Sequence, residues 1–179
     1  VDHPSESVFG HKPGLFLLFF TEMWERFSYY GMRALLVLFL VSEAAGGGWA
    51  WSRADALNLY AIYTGMVYLT PILGGIAADK WLGYRGAVLL GALLMTLGHA
   101  AMAVEQELSF YLGLALLVAG NGFFKPNISS IVGQLYADSE AKKDAAYTIF
   151  YMGINAGAFL GILLCGYIGE KVGWSYGFG

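Results

Sequence analysis

The sequence predicts an all-α, polytopic membrane protein: a bundle of five membrane-spanning helices followed by the start of a sixth. Three observations carry this expectation. Hydrophobic residues make up 58% of the 179 residues and charged residues only 13%, too apolar a balance for a soluble globular domain. The apolar residues collect in five stretches of about 20 residues or more, the length a helix needs to cross the hydrocarbon core. Between them lie short segments carrying glycine and charge, the breakers and polar ends of loops.

A polar tail, residues 1–14 ("VDHPSESVFGHKPG"), precedes the first stretch at about 15–41. The tail lacks the basic start, apolar core and small-residue cleavage site of a signal peptide, so the first helix is expected to be retained. The second stretch, about 55–78, follows "EAAGGGWAWSRAD"; the third, about 86–104, follows "DKWLGYRG". The fourth, about 109–136, follows "EQELS", and the fifth, about 145–168, follows "ADSEAKKD". After "GEKVGW", the segment "SYGFG" opens a sixth helix. Pro71 and Pro126 are expected to bend helices 2 and 4. Small residues in "GNGFFKPN" and "GINAGAFLG" allow helix backbones to approach closely. Trp49, Trp51 and Trp174 fall at helix ends, where aromatic residues anchor a membrane interface.

Orientation follows from the lysine and arginine bias of alternate loops. Lys12, Lys80, Arg85, Lys142 and Lys143 lie on the N-terminal side, five against the two on the other side, Arg53 and Lys171. The N-terminus is therefore expected in the cytoplasm. The cationic residues are scattered and the net charge is -3, so a nucleic-acid partner has no footprint. The single cysteine, Cys165, has no disulfide partner and reads as a small packing residue. His3 and His11 sit in the tail and His99 stands alone in helix 3, so neither a metal nor another cofactor is expected. His99 reads as a hydrogen-bonded core histidine.

The remaining three of the ten basic residues, Arg26, Arg33 and Lys125, fall inside spans. At 1.5 Å per residue, Glu22 lies about 12 Å and Arg26 about 18 Å from the start of helix 1, too deep for side chains that snorkel to a headgroup layer. At 100° per residue, Glu22, Glu25, Arg26, Tyr29, Tyr30 and Arg33 share an arc of about 140°. A charge facing lipid costs at least a few kcal/mol, so this stripe must face other helices or a wet cavity. Lys125 on helix 4, Tyr68 on helix 2 and Asn155 on helix 5 reach similar depths, about 15 to 17 Å. Polar groups from four helices at one level suit a binding site near the bilayer midplane. Two carboxylates against three cations leave one positive charge in surplus, which favours an anionic ligand over a self-neutralising scaffold.

The stretch Glu22-Met-Trp-Glu25-Arg26-Phe27-Ser28-Tyr29-Tyr30-Gly31 resembles the E-x-x-E-R-F-x-Y-Y-G motif of proton-coupled oligopeptide transporters. "YTIFYMGINAGAF" (147–159) and "FFKPNISSIVGQLY" (123–136) resemble that family's helices 5 and 4. "GIAADKWLGYR" (75–85) is similar to the helix 2–3 motif of the major facilitator superfamily, in which Gly75, Asp79, Lys80, Gly83 and Arg85 would latch two half-bundles. The resemblance covers the chain from Lys12 onward and implies an integral protein of a bacterial inner membrane. This chain would be its N-terminal helix bundle, partnered by a C-terminal bundle that lies outside the sequence. It implies that Arg26, Tyr30, Arg33, Tyr68, Lys125, Tyr151 and Asn155 hold small peptides, and that Glu22, Glu25, Arg26 and Lys125 couple transport to protons. A helix 2 histidine implicated in animal relatives aligns with Ala61 here.

The implied mechanism is a carboxylate switch. Burial favours a neutral glutamate and a nearby cation favours a charged one, so a substrate carboxylate that competes for the cation triggers protonation. Alternatives are the same fold carrying nitrate or another small anion and, more remotely, a membrane enzyme or channel. The last would need a catalytic constellation or a repeated pore motif, and the sequence holds neither.

Overall fold

Glycine spacing decides how closely the helices of this chain can meet, and the computed structural model shows that spacing in use. It describes residues 7–104 and 106–179. Six helices follow in order: α1 (Pro13–Val41), α2 (Arg53–Ala77), α3 (Gly83–Met102), α4 (Glu107–Leu135), α5 (Glu140–Lys171) and the short α6 (Trp174–Phe178). Among the described residues there is no β-strand, only an isolated bridge between Val8 and His11. Arg53–Met102, Glu107–Leu135 and Glu140–Lys171 are helical stretches long and apolar enough to cross a membrane by length and composition. α1 is as long as α4, 29 residues, but carries Glu22, Glu25, Arg26 and Arg33.

On α5, Gly153, Gly157, Gly161, Cys165 and Gly169 recur every fourth residue and are all buried. They form one small-residue stripe, and α1 lies in it. A Cβ built on Gly157 would stand 2.9 Å from the Met23 carbonyl carbon and 3.0 Å from the Phe27 nitrogen. Gly153 meets Phe19 and Gly161 meets Phe27 in the same way, so the two helices run parallel in near backbone contact. α3 and α4 cross antiparallel through a second set: Gly91 faces the Gly120 carbonyl and Gly98 faces the Gly113 carbonyl. α2 packs parallel to α4, with Thr70 Oγ1 donating to the Val118 carbonyl at 3.1 Å. Pro126 has no N–H to offer the Gly122 carbonyl four residues back, and that freed carbonyl is turned to Gly74 on α2.

Since α2 runs with α4 and α3 against it, the chain reverses between α2 and α3. The expected irregular loop there is instead helical: Ala78–Leu82 forms a wide π-helical turn. Gly83, with φ of 67°, ends it in the left-handed region that a residue without Cβ enters freely. Similarly, much of "ADSEAKKD" is the first turn of α5, which begins at Glu140 ahead of the apolar run. Pro71 and Pro126 both sit inside continuous helices.

Two ends close the bundle. At one, Phe39 packs against Trp49, Phe110, Trp174 and Phe178, with ring centroids 5.1 to 5.8 Å apart. Trp174 is buried and donates its indole N–H to the Gly46 carbonyl at 3.0 Å. Trp49 and Trp174 therefore join an internal aromatic cluster rather than a lipid-facing belt, because the 43–52 segment folds back on α1 through Ala50 N–H to Ser42 O (2.8 Å) and Trp51 N–H to Leu40 O (2.8 Å). At the other end, the Tyr136 hydroxyl receives the Lys12 backbone N–H at 3.0 Å and pairs with His11 Nδ1 at 3.1 Å. Of the polar tail, residues 1–6, including His3, lie outside the described residues.

The α1–α5 contact gives a direct test. Gly157→Leu forces a side chain into the Met23 and Phe27 backbone and is expected to cost about 1–3 kcal/mol, the usual range for overpacking. Thermal unfolding in detergent should show a lowered midpoint, while Gly166→Leu, where a Cβ meets nothing within 4 Å, leaves it nearly unchanged.

Candidate binding and coupling site

Helix periodicity places Glu22, Glu25, Arg26 and Tyr29 on one side of α1, and the fold buries all four. α1 packs against α2, α4, α5 and α6, so its charged stripe is enclosed by protein. Glu22, Glu25 and Arg26 are 3%, 6% and 3% exposed. Arg26 Nε stands 3.3 Å from Glu22 Oε1 and donates a hydrogen bond to Glu25 Oε2. The Tyr29 ring lies beneath the same guanidinium, its centroid 4.8 Å away. With both carboxylates ionised this triad carries one net negative charge, in a setting where an unpaired ion is costly.

Arg33 occupies a cage of phenols. Its Nε donates to the Tyr60 hydroxyl at 3.0 Å, Nη2 contacts the same oxygen, and the Tyr29, Tyr30 and Tyr60 rings surround it at 5.3 to 5.7 Å. Lys125, half-buried on α4, places Nζ 5.3 Å from the Tyr68 ring centroid. It interacts electrostatically with Glu22, Glu25, Arg26 and Arg33. Among the described residues the ion pairs are those of Arg26 with Glu22 and Glu25, so in this state Lys125 stands apart from both carboxylates rather than bonded to one of them.

The residues predicted from sequence for binding and coupling thus separate into four neighbourhoods. Glu22, Glu25 and Arg26 form the buried triad. Tyr30 and Arg33 belong to the phenol cage, and Lys125 lies beside Tyr68, which is 64% exposed. Tyr151 and Asn155 form a fourth, separate patch: both are exposed on α5, and the Asn155 amide donates to the Tyr151 carbonyl of its own helix at 2.9 Å. Gly75 has open space around it, and Asp79, Lys80, Gly83 and Arg85 are exposed at the α2–α3 turn, where Asp79 accepts from the Tyr84 hydroxyl at 3.0 Å.

Three residues were missed by sequence reading. Asn121 on α4 is 1% exposed and donates its amide to Glu25 Oε1 at 2.9 Å. Tyr60 holds Arg33, and Tyr63 is buried near the triad. Spacing carried a signal for each: Asn121 precedes Lys125 by four residues, and Tyr60, Tyr63 and Val67 lie at three- and four-residue steps on α2. His99 is hydrogen-bonded on both nitrogens, to the Phe178 carbonyl at 2.8 Å and to the Ser28 hydroxyl, as a core histidine should be.

The electrostatic outcome is a division by depth. The triad is buried and, with both carboxylates ionised, carries one negative charge, whereas the two cations outside it, Arg33 and Lys125, stand at half-exposed positions beside aromatic rings.

Arg26 is the keystone of the triad. Arg26→Met leaves two buried carboxylates without a cation and is expected to cost about 3–5 kcal/mol. Adding Glu22→Gln and Glu25→Gln should recover much of that loss. Chemical denaturation of the single and triple variants in detergent checks it, and equal stability of the two would remove the ion-pair account.

Known proteins with this sequence pattern fit the geometry. Residues 85–179 match a family model described as the POT family. The chain is 43% identical over 176 residues to a di-/tripeptide transporter of Lactococcus lactis subsp. cremoris, covering 97% of this chain and 35% of that protein. It is also 43% identical over 176 residues to peptide transporter YePEPT of Yersinia enterocolitica, covering 97% and 34%. A crystal structure of peptide transporter POT in complex with sulfate superposes with a TM-score of 0.94 at 46% identity, covering 98% of this chain and 36% of that one. The chain spans about a third of the length of the curated relatives it matches.

Proposed function

We propose that this chain, which belongs to the POT family, is one half of a proton-coupled symporter that imports di- and tripeptides by alternating access. Membership places it among transporters and not enzymes. The observation that carries the substrate reading is the pair of cations left outside the triad. Arg33 and Lys125 hold a positive field over an open face whose nearby rings, Tyr30, Tyr60 and Tyr68, supply hydroxyl donors and apolar contact. A peptide's C-terminal carboxylate suits that field, and its side chains suit the rings. The two relatives described above are named as peptide transporters, which favours the same substrate class.

Coupling is assigned to Glu22, Glu25, Arg26 and Lys125. When a substrate carboxylate draws a cation away, a carboxylate of the triad loses its compensation and takes a proton. Substrate and proton together must favour the state that opens inward, since only a differential affinity shifts the equilibrium. Tyr151 and Asn155 extend the binding face on α5. Gly75 and the exposed Asp79, Lys80, Gly83 and Arg85 form the contact with a second helix bundle. The protein resides in a bacterial inner membrane with its N-terminus in the cytoplasm, and protons are its coupling ion. A second reading, import of a small inorganic anion, draws on the same cation pair and on the sulfate bound to a structural neighbour.

Proteoliposomes containing the protein with both halves separate the two. Free dipeptide is expected to bind about tenfold more tightly than its C-terminal amide, the loss of a charge-assisted contact. Equal affinity for the two overturns the carboxylate reading, and nitrate uptake without peptide uptake establishes the other. Glu22→Gln should abolish proton-driven accumulation while sparing exchange of labelled for unlabelled peptide. Lys125→Ala should lose accumulation and weaken binding as well.

A further inference from the structure

The triad is not symmetric, and the asymmetry comes from α4. Glu25 has a donor on each oxygen: Arg26 Nε on Oε2 and the Asn121 amide on Oε1 at 2.9 Å. Glu22 has one long contact, 3.3 Å from Arg26 Nε to Oε1, and its Oε2 is buried with no hydrogen-bond partner. The carboxylate also fixes which way the amide points. An ionised carboxylate only accepts, so Asn121 must present Nδ2 to it and turn Oδ1 away. Oδ1 is accordingly buried without a partner. An asparagine that leaves half of its amide unsatisfied in a dry interior is held there by what the other half does.

We propose that Asn121 is the positioning residue that makes the two glutamates unequal, locking Glu25 onto Arg26 and leaving Glu22 as the carboxylate free to change partners. The groups facing Glu25 are consistent with one fixed and one mobile acid. α1 contributes Glu22 and Arg26, α2 contributes Tyr63 and α4 contributes Lys125. Glu25 also lines a cavity of about 640 Å³, together with Ser28, His99 of α3 and Cys165 of α5. Asn121 and Arg26 supply the hydrogen bonds that Glu25 accepts, and Lys125, one turn beyond Asn121 on the same face of α4, is left for the substrate.

The proposal rests on the transport reading, and its test keeps the two apart. Accumulation of dialanine under a proton gradient and exchange of labelled for unlabelled dialanine are measured in proteoliposomes of the protein with both halves. Asn121→Leu, with the same side-chain branching but without a donor, is expected to lower accumulation about tenfold, the effect of one lost hydrogen bond to a charged group, with exchange within about threefold of wild type. Asn121→Asp is expected to be as poor at about pH 7.5, where an ionised carboxylate cannot donate. It should recover toward the wild-type ratio of accumulation to exchange at about pH 5.5, where the new carboxyl and Glu25, buried side by side, share a proton and an O–H is supplied again. Accumulation by Asn121→Leu within twofold of wild type overturns the proposal alone. So does a parallel fall of accumulation and exchange in both variants at both pH values, the mark of a structural role. A wild-type protein that does not accumulate dialanine under the gradient overturns the transport reading and this proposal with it.

Discussion

Arg26 holding two carboxylates inside α1 is the interaction on which the rest of the structure depends. A guanidinium and two glutamates at 3% to 6% exposure have no water to solvate them. In a lipid-facing helix each would cost at least a few kcal/mol. Packing by α2, α4, α5 and α6 removes that exposure on the side of the charges, while Leu17, Phe20 and Trp24 leave the opposite side of α1 open. The charged stripe therefore organises the bundle as well as the site.

Enclosure at this depth demands close helix approach, and the glycine stripes provide it. Without a hydrophobic driving force between helices in lipid, packing contact and hydrogen bonds must hold them. Gly153, Gly157 and Gly161 bring the α5 backbone onto α1, while Gly91, Gly98, Gly113 and Gly120 do the same for α3 and α4. α4 is thereby held rigidly enough to deliver Asn121 to Glu25 and Lys125 to the open face. Rigid delivery matters because an ion pair or hydrogen bond is lost when its partners drift by an ångström. The aromatic cluster around Phe39 and the Tyr136 contacts with His11 and Lys12 fasten the two ends of the same bundle.

The charges divide between a buried triad and two outlying, half-exposed cations. Arg33 is held by Tyr60 and three rings, so its orientation is set before any ligand arrives. Lys125 rests on Tyr68 with no carboxylate bonded to it, which leaves its ammonium available.

The sequence by itself determined the features that are local. Five long apolar stretches and the short sixth helix follow from span length, and the polar stripe from Glu22 to Arg33 follows from 3.6 residues per turn. What the tertiary structure decided was partnership. Both carboxylates pair with Arg26 and not with Lys125, because a common depth on two helices does not fix which side chains meet. Asn155 shares that depth yet lies, with Tyr151, apart from the charges, since their positions around α5 turn them to the exposed side while its glycines face α1. Asn121 carried no charge to mark it, and its contact with Glu25 appeared only when α4 set its amide against that carboxylate. Hydrophobic length and helical period act within one segment and can be read along the chain, whereas hydrogen-bond partners are chosen by helix rotation and close packing, which only the folded bundle specifies.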